Sequence, residues 1–449
     1  MRKEWPKVRL SEVSEINPKL ENKNSISQDF EVQFLPMALV EEVSNKIHLL
    51  ETRKFSEVQK KSYTYFAEGD VLFAKVTPCM ENGKIAIAKG LKNKIGFGSS
   101  EFHVFRPNKE IEKEFLFYFL VQSKFRNEAQ HEMTGAVGLR RVPKHFLENY
   151  PFPIPPLPEQ RAIVARIEEL FSELDHSIAN LQTALSKLEV YRQAVLKKAF
   201  EGGFISEKIK RSEANLPLNW SWKSIKQISS VLGDGLHGTP KYSENGEYYF
   251  INGNNLNDRK IEIKQHTKRV DKSEFEKYKK PLNERTVFVS INGTLGNTAF
   301  YNNEKVILGK SACYFNLVES VSKEYVFYVL KTNRFLNYAN TEATGSTIKN
   351  VSLKSMRSFL IPLPSFLEEQ ILIVQEIESR LSVADKLAET IQTNLLKSES
   401  LRQSILKKSF EGKLLTESEL EACRKEADWE SAERLLESIT NNNNKNLKR

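Results

Sequence analysis

The hydrophobic pattern of this chain is written twice. Ile163, Ile167, Leu170, Leu174, Ile178, Leu181, Leu185 and Leu188 recur at steps of three or four. That spacing lines one face of a helix and predicts a coiled-coil-like seam, with a stutter at Leu170–Leu174–Ile178. Ile373, Ile377, Leu381, Ala384, Ala388, Ile391, Leu395 and Ile405 repeat the pattern less cleanly. The stretches 160–202 and 370–412 are related at a constant offset of 210 positions, and each follows a proline-rich run. A period this long marks a duplicated domain rather than a solenoid. Pro158 suits a first helical position, and Ser365 followed by Glu368 reads as a capping box. Lys197-Lys198 and Lys407-Lys408 fall in the last turns, and Gly202 and Gly412 are placed to end the helices. Each helix would be about 60–65 Å long at 1.5 Å per residue. The strict repeat favours one antiparallel pair, seam to seam, spacing two globular units, over two unrelated amphipathic helices.

The segments before the helices also start alike, with Trp5-Pro6-Lys7-Val8-Arg9-Leu10 against Trp220-Ser221-Trp222-Lys223-Ser224-Ile225. In the first, 34–40, 71–76 and 84–88 read as strands, 77–83 as a loop and 115–123 as a helix. A glycine-rich basic loop covers 135–143. In the second, 232–240 reads as a glycine-rich loop, 248–251, 286–291 and 306–308 as strands, and 325–330 as a helix. The turn 292–294 and the loop 345–347 complete it. The class expected is α/β (α+β): mixed α/β domains at 1–157 and 204–367, separated by helices at 158–203 and 368–415. A C-terminal helix over 417–438 and a frayed, disordered end fill 416–449.

With 449 residues, 28% of them charged and 40% hydrophobic, the chain has an ordinary globular composition. No apolar run is long enough to span a membrane, and the N-terminus lacks the apolar stretch of a signal peptide. Cys79, Cys313 and Cys423 lie far apart with no CxxC, so neither zinc nor disulfides are indicated. The setting expected is the cytoplasm. Net charge is +9, and it is unevenly placed: 24 basic against 20 acidic residues in 1–157, and 24 against 15 in 204–367. A basic excess gathered in two separated domains leans toward a polyanion rather than a merely solvated surface.

Catalytic signatures are missing. Gly233-Asp234-Gly235-Leu236-His237-Gly238 fits GxGxxG, but Thr239-Pro240 follows where a phosphate-binding helix should open. Gly309-Lys310-Ser311 resembles the end of a P-loop, yet Glu304 stands where its first glycine belongs. Pro155-Pro156 lacks the flanking residues of an adenine methyltransferase motif. Asp70, Glu81 and Glu101 are carboxylates near strand ends, more simply solvated than metal-binding. Polar loops are better supplied. Asparagine suits adenine, and arginine and lysine suit guanine or phosphate.

One set of motifs in combination resembles the specificity (S) subunits of type I restriction-modification enzymes. In the first half these are Gly69-Asp70-Val71-Leu72-Phe73-Ala74-Lys75-Val76-Thr77-Pro78, Gly98-Ser99-Ser100-Glu101-Phe102, Arg141-Val142-Pro143 and Pro156-Leu157-Pro158-Glu159-Gln160. In the second they are Asp234-Gly235-Leu236-His237-Gly238-Thr239-Pro240, Ile291-Asn292-Gly293-Thr294 and Gly345-Ser346-Thr347. The resemblance runs from Trp5 to Leu415, and the two helical repeats resemble the family's conserved regions. It implies two target recognition domains, each reading half of an asymmetric split DNA site, with helices that fix the spacer and dock two methyltransferase (M) subunits. Adenine-N6 methylation with S-adenosylmethionine, and cleavage with ATP and magnesium by motor-nuclease (R) subunits, would then belong to partners. The DNA-binding residues expected are Lys75, Thr77, Asn82, Lys84, Ser99, Ser100, Arg140 and Arg141 in the first domain. In the second they are Thr239, Lys241, Asn252, Asn254, Asn255, Asn292, Thr294, Lys310 and Thr347. A self-contained methyltransferase or nuclease, and a coiled-coil scaffold without a DNA role, are the alternatives.

Overall fold

Val71-Leu72-Phe73-Ala74 forms a strand with no solvent-facing side. Val71 and Phe73 enter one core with Phe105 and Phe115, while Leu72 enters a second with Phe66, Phe102 and Val104. An unbroken apolar run is what a strand buried on both faces requires. A computed structural model of the protein describes residues 5–136, 138–204, 211–345 and 348–446. It divides into two units, Met1–Asn180 with Asn394–Arg449, and Leu181–Thr393.

In the first unit the central strand lies in the antiparallel sheet Ser14–Ile16, Phe102–Pro107, Val71–Ala74, Ile85–Ile87. A second sheet joins Glu51–Lys54, Glu31–Leu35, Ile95–Gly98 and Thr64–Ala67, with its middle pair parallel. The strand read over 34–40 stops at Leu35, because Pro36 has no N–H for the ladder and a 3-10 turn, Met37–Leu39, follows. The second unit repeats the plan: Ser229–Asp234, Ala312–Leu317, Thr286–Ser290 and Thr298–Phe300 are antiparallel. Beside them Tyr248–Ile251 runs parallel to Val306–Leu308. The stretch 232–240 is not all loop, since strand Ser229–Asp234 enters it. Gly235 serves close packing, since a Cβ on it would overlap the carbonyls of Leu308 and Gly309, whereas one on Gly238 would meet nothing.

The long helices are Leu157–Phe200 and Leu367–Phe410, 44 residues each. Gly202 (φ +82°) and Gly412 (φ +69°) end them in the left-handed conformation, as expected. The capping box at Ser365 does not form: the helix opens at Leu367, which puts Phe366 at the N-cap, and the Ser365 hydroxyl donates to Asn219 O at 2.6 Å. Each unit holds the first half of one helix and the second half of the other, the antiparallel sense. The same ion pair recurs, Arg402 with Asp175 in the first unit and Arg192 with Asp385 in the second. After Gly412 there are two helices, Glu417–Cys423 and Ala432–Asn446, where one was expected. Thr416 caps the first, and Leu420, Leu435 and Ile439 join the first unit's core. Among the described residues no helix is long and apolar enough to cross a membrane.

Glutamines fasten these helices to the sheets. Gln160, fully buried, donates to Glu110 O (3.0 Å) and Pro155 O (2.9 Å) and accepts from Glu112 N (2.9 Å). Gln370, equally buried, does the same with Ser320 O (3.1 Å), Pro364 O (3.2 Å) and Ser322 N (2.9 Å). The preceding glutamates accept from indoles, Glu159 from Trp5 (3.2 Å) and Glu369 from Trp220 (2.7 Å). Each unit is held again by the other helix: Gln403 accepts from Ser123 N and Gln193 from Asn333 N, both at 2.9 Å. Both donors are first residues of short helices, whose opening N–H groups have no intrahelical partner.

Gln160→Leu keeps the volume but strands these buried groups. We expect it to lower stability by about 2–4 kcal/mol, with the exposed Gln182→Leu as a control within about 0.5 kcal/mol, by urea denaturation.

Candidate nucleic-acid interface

Where the central strand of the first sheet ends, three chain segments meet. Lys75 N donates to Glu101 O (2.9 Å), Val142 N to Lys75 O (2.8 Å) and Thr77 N to Arg140 O (3.0 Å). Val76 pairs with Arg141, and Arg141 with Thr134. The second unit builds the same ladder: Ile291 N to Ser311 O (2.9 Å), Val351 N to Ile291 O (2.8 Å) and Gly293 N to Lys349 O (3.0 Å). Its bridges are Asn292 with Asn350, and Asn350 with Thr344. Backbone geometry therefore matches Lys75 with Ile291, Thr77 with Gly293, Glu101 with Ser311, Arg140 with Lys349 and Arg141 with Asn350. These backbone contacts recur in both units, and the side chains at the five matched positions differ.

In the first unit the ladder gathers Lys75, Thr77, Ser99, Arg140 and Arg141. Arg141 forks onto Glu101, Nε to Oε2 at 2.8 Å and Nη2 to Oε1 at 2.7 Å. That bidentate bond holds the Glu101 carboxyl below its usual range. Burial lowers the Lys75 ammonium from its ordinary value, opposed by Glu101. Thr77 Oγ1 donates to Glu81 Oε1 (3.0 Å), and Ser99 Oγ accepts from Glu101 N (3.2 Å). The half-buried Arg140 makes no side-chain bond among the described residues, and Ser100 is exposed. Asn82 and Lys84 lie on the far side of the loop, bonded to Glu42 Oε1 (2.9 Å) and Met37 O (3.4 Å). Asp70 is fully engaged by Arg106 (2.8 and 2.7 Å) and the Ala67 N–H (2.7 Å).

In the second unit the ladder brings Asn292 and Thr294 together. Asn292 Nδ2 donates to Asn350 Oδ1 (3.3 Å), and Thr294 is exposed. Asn252 and Asn255 hold their own turn: Asn252 Oδ1 accepts from Ser311 Oγ (3.0 Å), and Asn255 Oδ1 from Asn252 N (3.0 Å). Asn255 is buried, with its amide donating to Glu262 O (2.9 Å). Asn254 and Lys310 are exposed beside them. Thr239 and Lys241 are exposed on a separate segment, tied to Glu274 through the Lys241 N–H (3.0 Å). Thr347 lies outside the described residues. No helix opens after Gly238, and Ser311 donates to Asn252 and accepts from Gly253 N (2.8 Å). Lys349, exposed at the position matching Arg140, was not among the expected residues: the offset of 210 pairs Arg140 with Asn350, and the loop after Thr344-Gly345 is one residue shorter than the loop after Thr134-Gly135.

Behind the first ladder sits His103, 5% exposed. Its Nε2–H donates to Val142 O (2.9 Å), and Nδ1 accepts from Asn17 Nδ2 (3.0 Å). Burial pushes its pKa down to about 4. The second unit has Cys313 here, a buried thiol pushed up to about 12.

The description "Type I restriction modification DNA specificity domain" belongs to a family whose sequence model matches residues 2–184 and 217–397. The EcoAI specificity subunit of Escherichia coli is 40% identical over 193 residues, 42% of this chain and 31% of that one. The EcoEI subunit of the same species is 38% identical over 192 residues, with the same shares, so the chain spans about a third of either relative. The StySPI specificity subunit of Salmonella potsdam is 26% identical over 402 residues, 81% of each chain. Among solved structures, the HsdS subunit from Thermoanaerobacter tengcongensis superposes with a TM-score of 0.61 at 22% identity, covering 92% of this chain and 98% of that one. A chain from a type I R-M system structure gives 0.71 at 22% identity, over 92% and 99%. At that identity the likeness is one of fold.

A histidine whose folded pKa is depressed stabilises the fold fully above its unfolded value of about 6.5, and that contribution is lost as pH falls toward the folded value. We expect a loss of about 3 kcal/mol between pH 6.5 and 4 in the first unit. Amide exchange of residues 139–142 reads it, and His103→Gln, which keeps a donor for Val142 O, flattens the profile.

Proposed function

The chain belongs to the type I restriction-modification DNA specificity family, and on that premise we propose that it is the non-catalytic DNA-reading subunit of a type I complex. Each unit presents one half of a bipartite, asymmetric DNA site to its ladder. The observation that carries this reading is the matched pair of ladders: one backbone frame offers lysine, threonine and an arginine fork in the first unit, and isoleucine, glycine and an asparagine pair in the second. Two readers with one frame and different donors and acceptors suit two different half-sites.

Within that reading Lys75, Ser100, Arg140, Arg141, Asn254, Asn292, Thr294, Lys310 and Lys349 approach the duplex. Asn252, Asn255 and Thr77 shape the loops that carry them. Glu101 orients Arg141, as a second partner fixes a guanidinium fork. The M subunits dock on apolar residues that the long helices leave exposed, among them Val190, Val383, Leu387, Leu396 and Leu401. Adenine-N6 methylation, with S-adenosylmethionine, and ATP- and magnesium-dependent cleavage are the work of partner M and R subunits.

Arg140→Ala and Lys349→Ala test the assignment in the complex with the M subunit. Each removes one cation, so affinity for the target duplex falls and the slope of log K against log salt drops by about 1. Competition with duplexes altered in one half-site then assigns each residue: Arg140→Ala relaxes discrimination in one half only, Lys349→Ala in the other. Unchanged affinity and slope in both variants would remove the ladder from the interface.

A further inference from the structure

The second unit contains a guanidinium seated in a receptor. Arg259 Nη2 donates to Glu378 Oε1 at 2.8 Å and to the Tyr328 hydroxyl at 2.5 Å. Its guanidinium lies over the rings of Phe327 (4.7 Å) and Tyr328 (5.1 Å). The receptor comes from helix Lys323–Leu330 and the second long helix. At the offset of 210 its counterparts are Phe117, Tyr118 and Glu168, from helix Lys113–Val121 and the first long helix.

In the first unit these three residues line a cleft of about 670 Å³. The position matching Arg259 is Val43, by an offset of 216 that already relates strands Glu31–Leu35 and Tyr248–Ile251 and the 3-10 turns after them. Val43 also lines the cleft, and both residues are left-handed, φ +57° and +74°. Valine has neither the length nor the charge to fill the site. Tyr118 and Glu168 make no hydrogen bond or ion pair among the described residues, and Glu168 is exposed. The neighbouring Arg402 is no substitute. It pairs with Asp175 and stacks on Phe171, and its counterpart Arg192 pairs with Asp385 in the unit where Arg259 is also present.

We propose that this cleft is a receptor for a guanidinium group supplied from outside the chain, by an arginine of a partner protein, in the place Arg259 fills from within the second unit. Naming the partner as the M subunit rests on the function proposed above; the receptor rests on the internal duplicate alone. An aromatic face and a carboxylate together select guanidinium over ammonium, which lacks the plane to stack and the second donor to fork.

Val43→Arg supplies the missing group from within, at a backbone conformation an arginine already adopts in the second unit. Its thermal midpoint should rise by about 2–4 °C, and the rise should vanish in the double variants with Glu168→Gln or Tyr118→Phe. N-acetylarginine amide should shift the wild-type midpoint upward and leave Val43→Arg unmoved, while N-acetyllysine amide moves neither. A change in Val43→Arg that is independent of Glu168, together with no response to the arginine amide, overturns the receptor. Binding of the M subunit separates the sources: a loss of at least tenfold in both Val43→Arg and Glu168→Gln assigns the arginine to that partner. Unchanged M binding with intact response to the arginine amide assigns the cleft to a free guanidino compound and overturns the protein source. Because none of these readouts involves DNA, failure here is distinguishable from failure of the DNA-reading assignment.

Discussion

A glutamine amide shut away from water must find every partner on its own chain, and in this protein that requirement fixes where the long helices meet the sheets. Gln160 and Gln370 close the gap between a helix start and the loop before a sheet-facing helix, each with bonds to one N–H and two carbonyls. From the far halves of the helices Gln403 and Gln193 each accept one helix-opening N–H; Gln193 also donates to Lys331 O, while Gln403 Nε2 is buried without a partner among the described residues. Each unit is thus fastened by one helix that follows its sheets in sequence and by another that comes from elsewhere in the chain. Apolar packing supplies most of the stability, but it is tolerant of small shifts. The polar contacts are directional, and they set register and orientation.

That shared fastening lets the rest diverge. Behind the ladders one unit has the titratable His103 and the other Cys313. At the helix face one has Arg259 in its receptor and the other Val43 before an open cleft. At the ladders themselves an arginine–glutamate fork stands opposite an asparagine pair. Duplication has kept the backbone contacts and varied the side chains, an arrangement suited to the two different readers proposed above.

Much of this was legible in the sequence, for identifiable reasons. The 3.6-residue periodicity of Ile163, Ile167 and Leu174 and of their partners at an offset of 210 announces long helices because burial on one face is periodic. Val71–Ala74 announces a doubly covered strand because it has no polar alternation. Glycine was misread around Gly233 and Gly235, where close contact with strand neighbours, not a turn, requires it. Ser365 is not a cap because the helix opens one residue later than the spacing to Glu368 suggests, with Phe366 before Leu367. The candidate residues mix two kinds that look alike in a string: Asn255, whose amide holds a turn, and Asn254 beside it, which is exposed. Only the fold separates them. Lys349 escaped because the loops around it differ by one residue in length, and the pairing of Glu101 with Arg141 because the two are 40 residues apart in the chain.

The central claim is that two matched ladders read two different half-sites. The most direct measurement is a genome-wide map of N6-methyladenine in a host expressing this chain with its M subunit, beside the same host in which residues 204–367 are exchanged for those of another family member. A split, asymmetric motif that depends on the chain, and that changes in one half only after the exchange, is the predicted result. A motif that changes in both halves, or methylation that is indifferent to the chain, would contradict it.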